Sequence, residues 1–242
     1  MPNPRVAMLA LVVTTSSGCT ALGLASPTLE ASTSTSTVML HGSSLDLHFA
    51  SPIAPVSDTV VVYASGDGGW FGAAIEMFHA IAPEDEPGDY RVLAEFAQQG
   101  SAQRPILVGV SEGAGLSLLA ATDPLTKAAI GGVIGLGLPD VNELGWRWKD
   151  AMIYLTHGVP NEPTFSTTAV AGRVAPAPLA AIHSTRDEFV PVAEVERVMA
   201  AANEPKRLWV VEAADHRFSN NLTEFDRRLF EALTWVAQQR GR

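Results

Sequence analysis

Short runs of β-branched and aliphatic residues alternate with stretches of helical periodicity along most of this chain, and that alternation constrains its fold more than any other feature. Residues 59–64 read TVVVYA, and further apolar runs fall at 106–110, 130–136, 179–183 and 208–212. Continuous apolar runs of this length, without polar alternation, suit strands buried on both faces. Helical patterns occupy 71–82, 88–100, 112–122, 192–203 and 222–238. In the last of these, Leu222, Phe225, Leu229, Leu233 and Val236 recur at helical spacing, with Asn221 and Glu224 placed as a capping pair. Earlier, 38–41 and 45–49 flank Gly42-Ser43-Ser44, which predicts a hairpin. Strand alternating with helix predicts an α/β fold, a mostly parallel sheet covered by helices on both faces. Such sheets carry their sites beyond the carboxyl ends of the strands. The residues directly after each apolar run are therefore where chemistry is expected.

The first 37 residues follow a different rule. Arg5 precedes an apolar run at 6–13 that is too short to span a bilayer but suits the core of a signal peptide. Ser16, Ser17 and Gly18 then lead to Cys19, the one cysteine in 242 residues. This resembles a bacterial lipoprotein signal. The expectation is a leader at 1–18, a lipidated Cys19, a flexible Ser/Thr-rich tether at 19–37 and a folded domain at 38–242. The protein is then expected in the bacterial cell envelope, periplasmic or held to a membrane by the anchor on Cys19. A single cysteine excludes an internal disulfide framework and a cysteine-rich zinc site. With 26 acidic against 16 basic residues, a net charge of −10 and no long Lys/Arg run, nucleic acid is not an expected partner.

After the run at 106–110 the chain reads Gly109-Val110-Ser111-Glu112-Gly113, a G-x-S-x-G nucleophile elbow between a strand and a helical stretch. Small residues at Gly109 and Gly113 permit a sharp turn that lifts the Ser111 hydroxyl out of the sheet. The N–H of Glu112 then stands at a helix N-terminus, where it can stabilise an oxyanion. A serine needs a base. Of six histidines, His216 follows the run at 208–212 and precedes the final helix, whereas His41, His48, His79, His157 and His183 lie in less suitable places. Asp187, after the run at 179–183, is the expected carboxylate that fixes the imidazole tautomer. Asp140 and Glu188 are the alternatives. The order Ser111, Asp187, His216 is that of the α/β-hydrolases.

Ser65-Gly66-Asp67-Gly68-Gly69-Trp70 follows the first long strand, in the loop that supplies the second oxyanion N–H, from Asp67. SGDGGW, GVSEGAG, DEFVP and DHRF together resemble the AcvB/VirJ group of exported, virulence-associated bacterial proteins, over roughly residues 58–238. The resemblance implies an α/β-hydrolase fold and roles for Ser111, Asp187 and His216, with backbone at Asp67 and Glu112. Some members of that group are associated with hydrolysis of lysyl-phosphatidylglycerol. The chain departs from a full α/β-hydrolase in one respect: the segment from Phe71 to Pro105 is too short for helix, strand and helix. One strand ahead of the nucleophile strand is expected to be lacking, unless 90–96 supplies it, which leaves a gap or an edge beside the 59–64 strand. An insertion at 140–176 is expected to form a lid or pocket wall, with Trp146 and Trp148, together with Trp70, as substrate-facing candidates.

The expected activity is an exported serine hydrolase acting on a small-molecule or lipid ester through an acyl-enzyme, with an aminoacyl-lipid one option. No metal or organic cofactor is implied. The alternative is a non-catalytic envelope lipoprotein that binds a protein or lipid partner on the same scaffold.

Overall fold

Each of the five central apolar runs becomes a strand. A computed structural model of the chain describes residues 9–13, 31–40, 43–52, 60–64, 91, 94–95, 104–143 and 164–239. Its elements are β1 (Leu9–Val13), β2 (Ala31–Leu40), β3 (Ser43–Pro52), β4 (Val60–Ala64), β5 (Ile106–Val110), α1 (Glu112–Ala120), α2 (Pro124–Ala129), β6 (Gly132–Leu136), β7 (Val141–Glu143), β8 (Thr164–Ser166), α3 (Thr167–Ala171), β9 (Leu179–Ser184), α4 (Val192–Ala201), β10 (Lys206–Val211) and α5 (Leu222–Gln239). Among the described residues, eight strands form one sheet in the order β10-β9-β6-β5-β4-β1-β3-β2, and β7 pairs with β8 separately. All neighbours from β10 to β1 run parallel, whereas β1–β3 and β3–β2 are antiparallel.

Successive residues of the central strands point to opposite faces, so each strand feeds two cores. Val62, Leu107, Val133 and Leu179 pack with buried residues of α1, α3 and α4, among them Leu118, Val170 and Val195. Val61, Ile106, Ile134 and Ile182 pack with Ala232, Leu233 and Val236 of α5. The sheet is thus covered on both faces, as the alternation predicts. The apolar stripe of α5 starts later than its periodicity suggests, since Leu222 is 53% exposed. The expected capping pair does not form either. The Asn221 N–H donates to the Phe218 carbonyl, and the Glu224 carboxylate is held by Arg227 and Arg228 one turn along the helix. Two guanidinium partners are stronger competitors for that carboxylate than one backbone N–H.

The expected gap beside β4 is filled, and from an unexpected place. Residues 91, 94 and 95 are helical, so among the described residues nothing in 90–96 acts as a strand. Instead β1 lies beside β4 on the side away from β5, with Leu9 opposite Val60 and Leu11 opposite Val62. On its other side it pairs antiparallel with β3, Leu11 opposite Phe49. The apolar segment read as the core of a leader therefore occupies the position of the lacking strand. The hairpin is also longer than expected. Residues 31–37, expected to close a flexible tether, belong to β2 and pair with β3 from Ala31–Pro52 to Leu40–Ser43. Thr, abundant there, suits extended backbone.

A chain beginning at residue 14 is expected to lose the link between β4 and the β2–β3 hairpin. Both strands would then present unpaired backbone groups. A handful of ladder hydrogen bonds at about 1 kcal/mol each sets the loss on the order of 3 kcal/mol. Urea denaturation reads the stability, and hydrogen exchange over 43–52 and 60–64 reads the location. Equal stability and equal protection in the two chains would contradict this role for β1.

Candidate active site

The elbow is built by two close backbone approaches. Ser111 directly follows β5 and has φ 53° and ψ −124°, a conformation that costs a non-glycine residue about 1–3 kcal/mol. Its N–H donates to the Leu136 carbonyl at 2.8 Å, which holds the strained turn to the end of β6. A Cβ on Gly109 would overlap the backbone of Gly113 and Ala114, so only glycine lets the helix return so close to the strand. The Ser111 carbonyl accepts from Ala114 N–H, while its hydroxyl makes no capping bond to α1. Glu112 is the first residue of that helix.

The residues expected as base and acid come from the ends of two further strands. Asp187 follows β9 and His216 follows β10, and His216 Nδ1 lies 2.5 Å from Asp187 Oδ2. The Asp187 side chain is fully buried and that of His216 is 11% exposed. Burial alone would raise the Asp187 pKa. The hydrogen bond from His216 and those from the Val190 and Phe189 N–H groups outweigh it and hold the carboxyl below its ordinary range. The loop bearing His216 is fixed as well. Asp215 accepts from the N–H groups of Arg217 and Ser219, and Phe218 is buried and stacked on Phe225 of α5.

Ser111 and His216 meet the same turn from two sides. Ser111 is bonded to Leu136, and Gly137, the next residue, packs so close to His216 that a Cβ there would overlap the imidazole at Cε1 and Nδ1. Gly137 has φ +59° and its N–H donates to the Ile182 carbonyl at 3.0 Å. The structure thus gathers Ser111, Asp187 and His216 at the carboxyl edge of β5, β6, β9 and β10.

The alternative acids are engaged elsewhere. Asp140 accepts from the Ser166 hydroxyl at 2.6 Å and the Thr168 N–H at 2.9 Å, fastening β7 to the start of α3. Glu188 accepts from the backbone N–H of His216 at 2.8 Å, steadying the loop without touching the ring nitrogens. Asp67, Trp70, Trp146, Trp148 and Cys19 lie outside the described residues.

One contributor escapes a reading of the sequence. Gly137 could have been found by inspecting the residue directly after β6, a strand end with no obvious chemical side chain. His183, at the end of its strand, reads as a packed or hydrogen-bonded histidine, and the structure shows it to be one.

That histidine is fully buried, and its Nε2–H donates to the Val190 carbonyl at 2.8 Å, on the loop that carries Asp187. Burial lowers its pKa, partly offset by the hydrogen bond to Val190 and by Asp187 and Glu194, with His216 acting in the same direction as burial. A histidine held neutral when folded takes up its proton more readily when unfolded. Its contribution is full at alkaline pH and fades as pH falls through the ordinary histidine range, about 6.5. Stability in urea is expected to drop between pH 8 and pH 5.5, and His183→Gln is expected to flatten that drop. An unchanged slope would contradict the assignment.

No family profile matches this sequence, and no curated protein shows similarity to it. Solved structures do share its architecture. An esterase from Pyrococcus furiosus aligns with a TM-score of 0.60 and 16% identity, over 90% of this chain and 96% of that one. The esterase domain of a Rhodothermus marinus protein gives 0.55 and 17%, over 87% and 98%. A cold-adapted esterase from an Arctic intertidal metagenomic library gives 0.56 and 13%, over 88% and 96%. The fold is that of the α/β-hydrolases. At these identities the likeness carries the architecture alone, and a fold does not by itself assign a reaction. The resemblance to the AcvB/VirJ group rests on the sequence motifs.

Proposed function

We propose that the chain is a serine hydrolase that cleaves a carboxylic ester through an acyl-enzyme. The observation that carries this reading is the 2.5 Å contact between Asp187 and His216, beside a strained serine elbow held to the same β6 turn. Ser111 Oγ attacks the ester carbonyl as His216 Nε2 takes its proton. Asp187, ionised and buried, fixes the Nδ1–H tautomer and stabilises the imidazolium. The oxyanion is met by the backbone N–H groups of Asp67 and Glu112. Collapse of the tetrahedral centre breaks the ester C–O bond, and His216 gives its proton to the departing alcohol. Water, deprotonated by His216, then attacks the acyl-serine; the Ser111 Oγ–acyl bond breaks, His216 returns its proton to Oγ, and the carboxylic acid is released.

The protein is an envelope lipoprotein in this reading, anchored through Cys19, with lipid or small-molecule esters as substrates and an aminoacyl-lipid among them, as the AcvB/VirJ motifs suggest. Cleavage ahead of Cys19 would remove β1, so processing changes the neighbour of β4. Cys19→Ala is expected to release the protein from membranes, and unchanged membrane association would overturn the anchor.

An ester panel graded in acyl length, with an aminoacyl-phosphatidylglycerol included, tests the activity. Turnover of at least one ester that disappears in Ser111→Ala is the expected result. A folded protein without turnover of any ester would favour the alternative, a lipid- or protein-binding lipoprotein on a hydrolase scaffold.

A further inference from the structure

Phe189 stands out among the exposed residues of the site. It is 73% exposed, the most exposed large apolar side chain among the described residues. Exposure of that degree is common for a surface Phe in isolation, but this ring is not placed at random. It meets the His216 imidazole edge-on, with ring centroids 5.6 Å apart and planes at 86°. Its backbone N–H donates to Asp187 Oδ1 at 3.0 Å. The carboxylate that orients the base therefore also fixes the root of the aromatic side chain.

The surroundings of the imidazole decide what Phe189 can touch. Nδ1 is taken by Asp187, and the Gly137 backbone closes against Cε1 and Nδ1. In the mechanism above, Nε2 hands its proton to the alcohol oxygen of the ester. That oxygen must lie within hydrogen-bond reach of Nε2, so the group attached to it leaves past the imidazole, the ring that Phe189 meets edge-on. The acyl chain, by contrast, is held at the carbonyl carbon by Ser111 and the oxyanion donors.

We infer that Phe189 is a specificity-determining residue for the alcohol portion of the ester, favouring esters of extended apolar or aryl alcohols over those of small alcohols. This rests on the serine-hydrolase reading of the site. An apolar contact of one such group discriminates between substrates by roughly ten- to a few-hundred-fold. Because the ring is only partly engaged, a value near the lower end is expected.

The test compares wild type, Phe189→Ala and Phe189→Leu on two series of esters. In the first, the acyl group is always acetyl and the alcohol is ethanol, hexanol or 2-naphthol. In the second, the alcohol is always ethanol and the acyl chain lengthens. Phe189→Ala is expected to lower kcat/KM about tenfold for the hexyl and naphthyl esters and to leave ethyl acetate within about twofold. Selectivity along the acyl series is expected to stay as in wild type, and Phe189→Leu to recover part of the loss. All acetates share one acetyl-enzyme, so its hydrolysis rate, read after the alcohol burst, is expected to be unchanged. A loss that tracks acyl length, or one equal for every ester, would overturn the inference while leaving the serine hydrolase intact. A wild-type protein that turns over none of the esters would overturn the underlying reading and this inference with it.

Discussion

Asp187→Asn is expected to lower ester turnover by about four orders of magnitude, the loss seen when a serine-hydrolase carboxylate is replaced by its amide. The geometry says why the fold should survive. Asp187 Oδ1 accepts from the Phe189 and Val190 N–H groups, and an amide oxygen can keep both bonds. The amide nitrogen then faces His216 Nδ1 in place of Oδ2. Both would be donors, so the imidazole moves its proton to Nε2 and can no longer accept one from Ser111. Asp140→Asn is expected to stay within a few-fold of wild type, because that carboxylate serves Ser166 and Thr168. Equal melting temperatures with kcat reduced only in the first variant would match this account. The reverse ranking would move the acid to Asp140.

Gly137→Ala is the second large effect. The residue has φ +59°, which costs an alanine about 1–2 kcal/mol, and its new Cβ would overlap the imidazole of His216. The ring has little room to retreat while Asp187 holds Nδ1, so base and acid separate or shift together. A displacement near 1 Å is enough to cost about 10²-fold in rate. Gly135→Ala provides the control. Its Cβ would come to 3.3 Å from Leu138 Cβ and 3.4 Å from Ala114 Cβ, away from the imidazole, so it should lose stability and keep most of its turnover. Steady-state kinetics beside thermal melts separate the two. Equal turnover losses in both variants would show that the effect of Gly137 is only structural.

The central sheet and the placing of Asp187 and His216 at its edge were legible because each rests on local physics. Buried parallel strands must be apolar throughout, and such sheets carry their sites beyond the strand ends, so the places of Ser111, Asp187 and His216 directly after β5, β9 and β10 could be read from position alone. What escaped was non-local. Nothing in residues 9–13 says that they pair with Val60–Ala64 about fifty positions away. An apolar run of that length serves equally as the core of a leader or as a strand, since both need only hydrophobicity. Gly137 carries no side chain to advertise chemistry, and its part in the site follows from a contact across three strands. Asp140 shows how much a strand-end position leaves open. It stands at a strand end like Asp187, but Ser166 and Thr168, brought in by β8 and α3, claim its oxygens first.

Covalent labelling with a fluorophosphonate, followed by intact mass and peptide mapping, tests the central claim most directly. The phosphorus of the probe mimics the tetrahedral centre, so it reacts with a serine that has both a base and oxyanion donors. One adduct is expected, on Ser111. It should be absent from Ser111→Ala, strongly suppressed in His216→Ala, and unaffected by Ser117→Ala, whose buried hydroxyl is bonded to the Gly113 carbonyl at 2.7 Å. A folded protein that stays unlabelled, or one labelled at a residue other than Ser111, would contradict the assignment of Ser111 as the nucleophile.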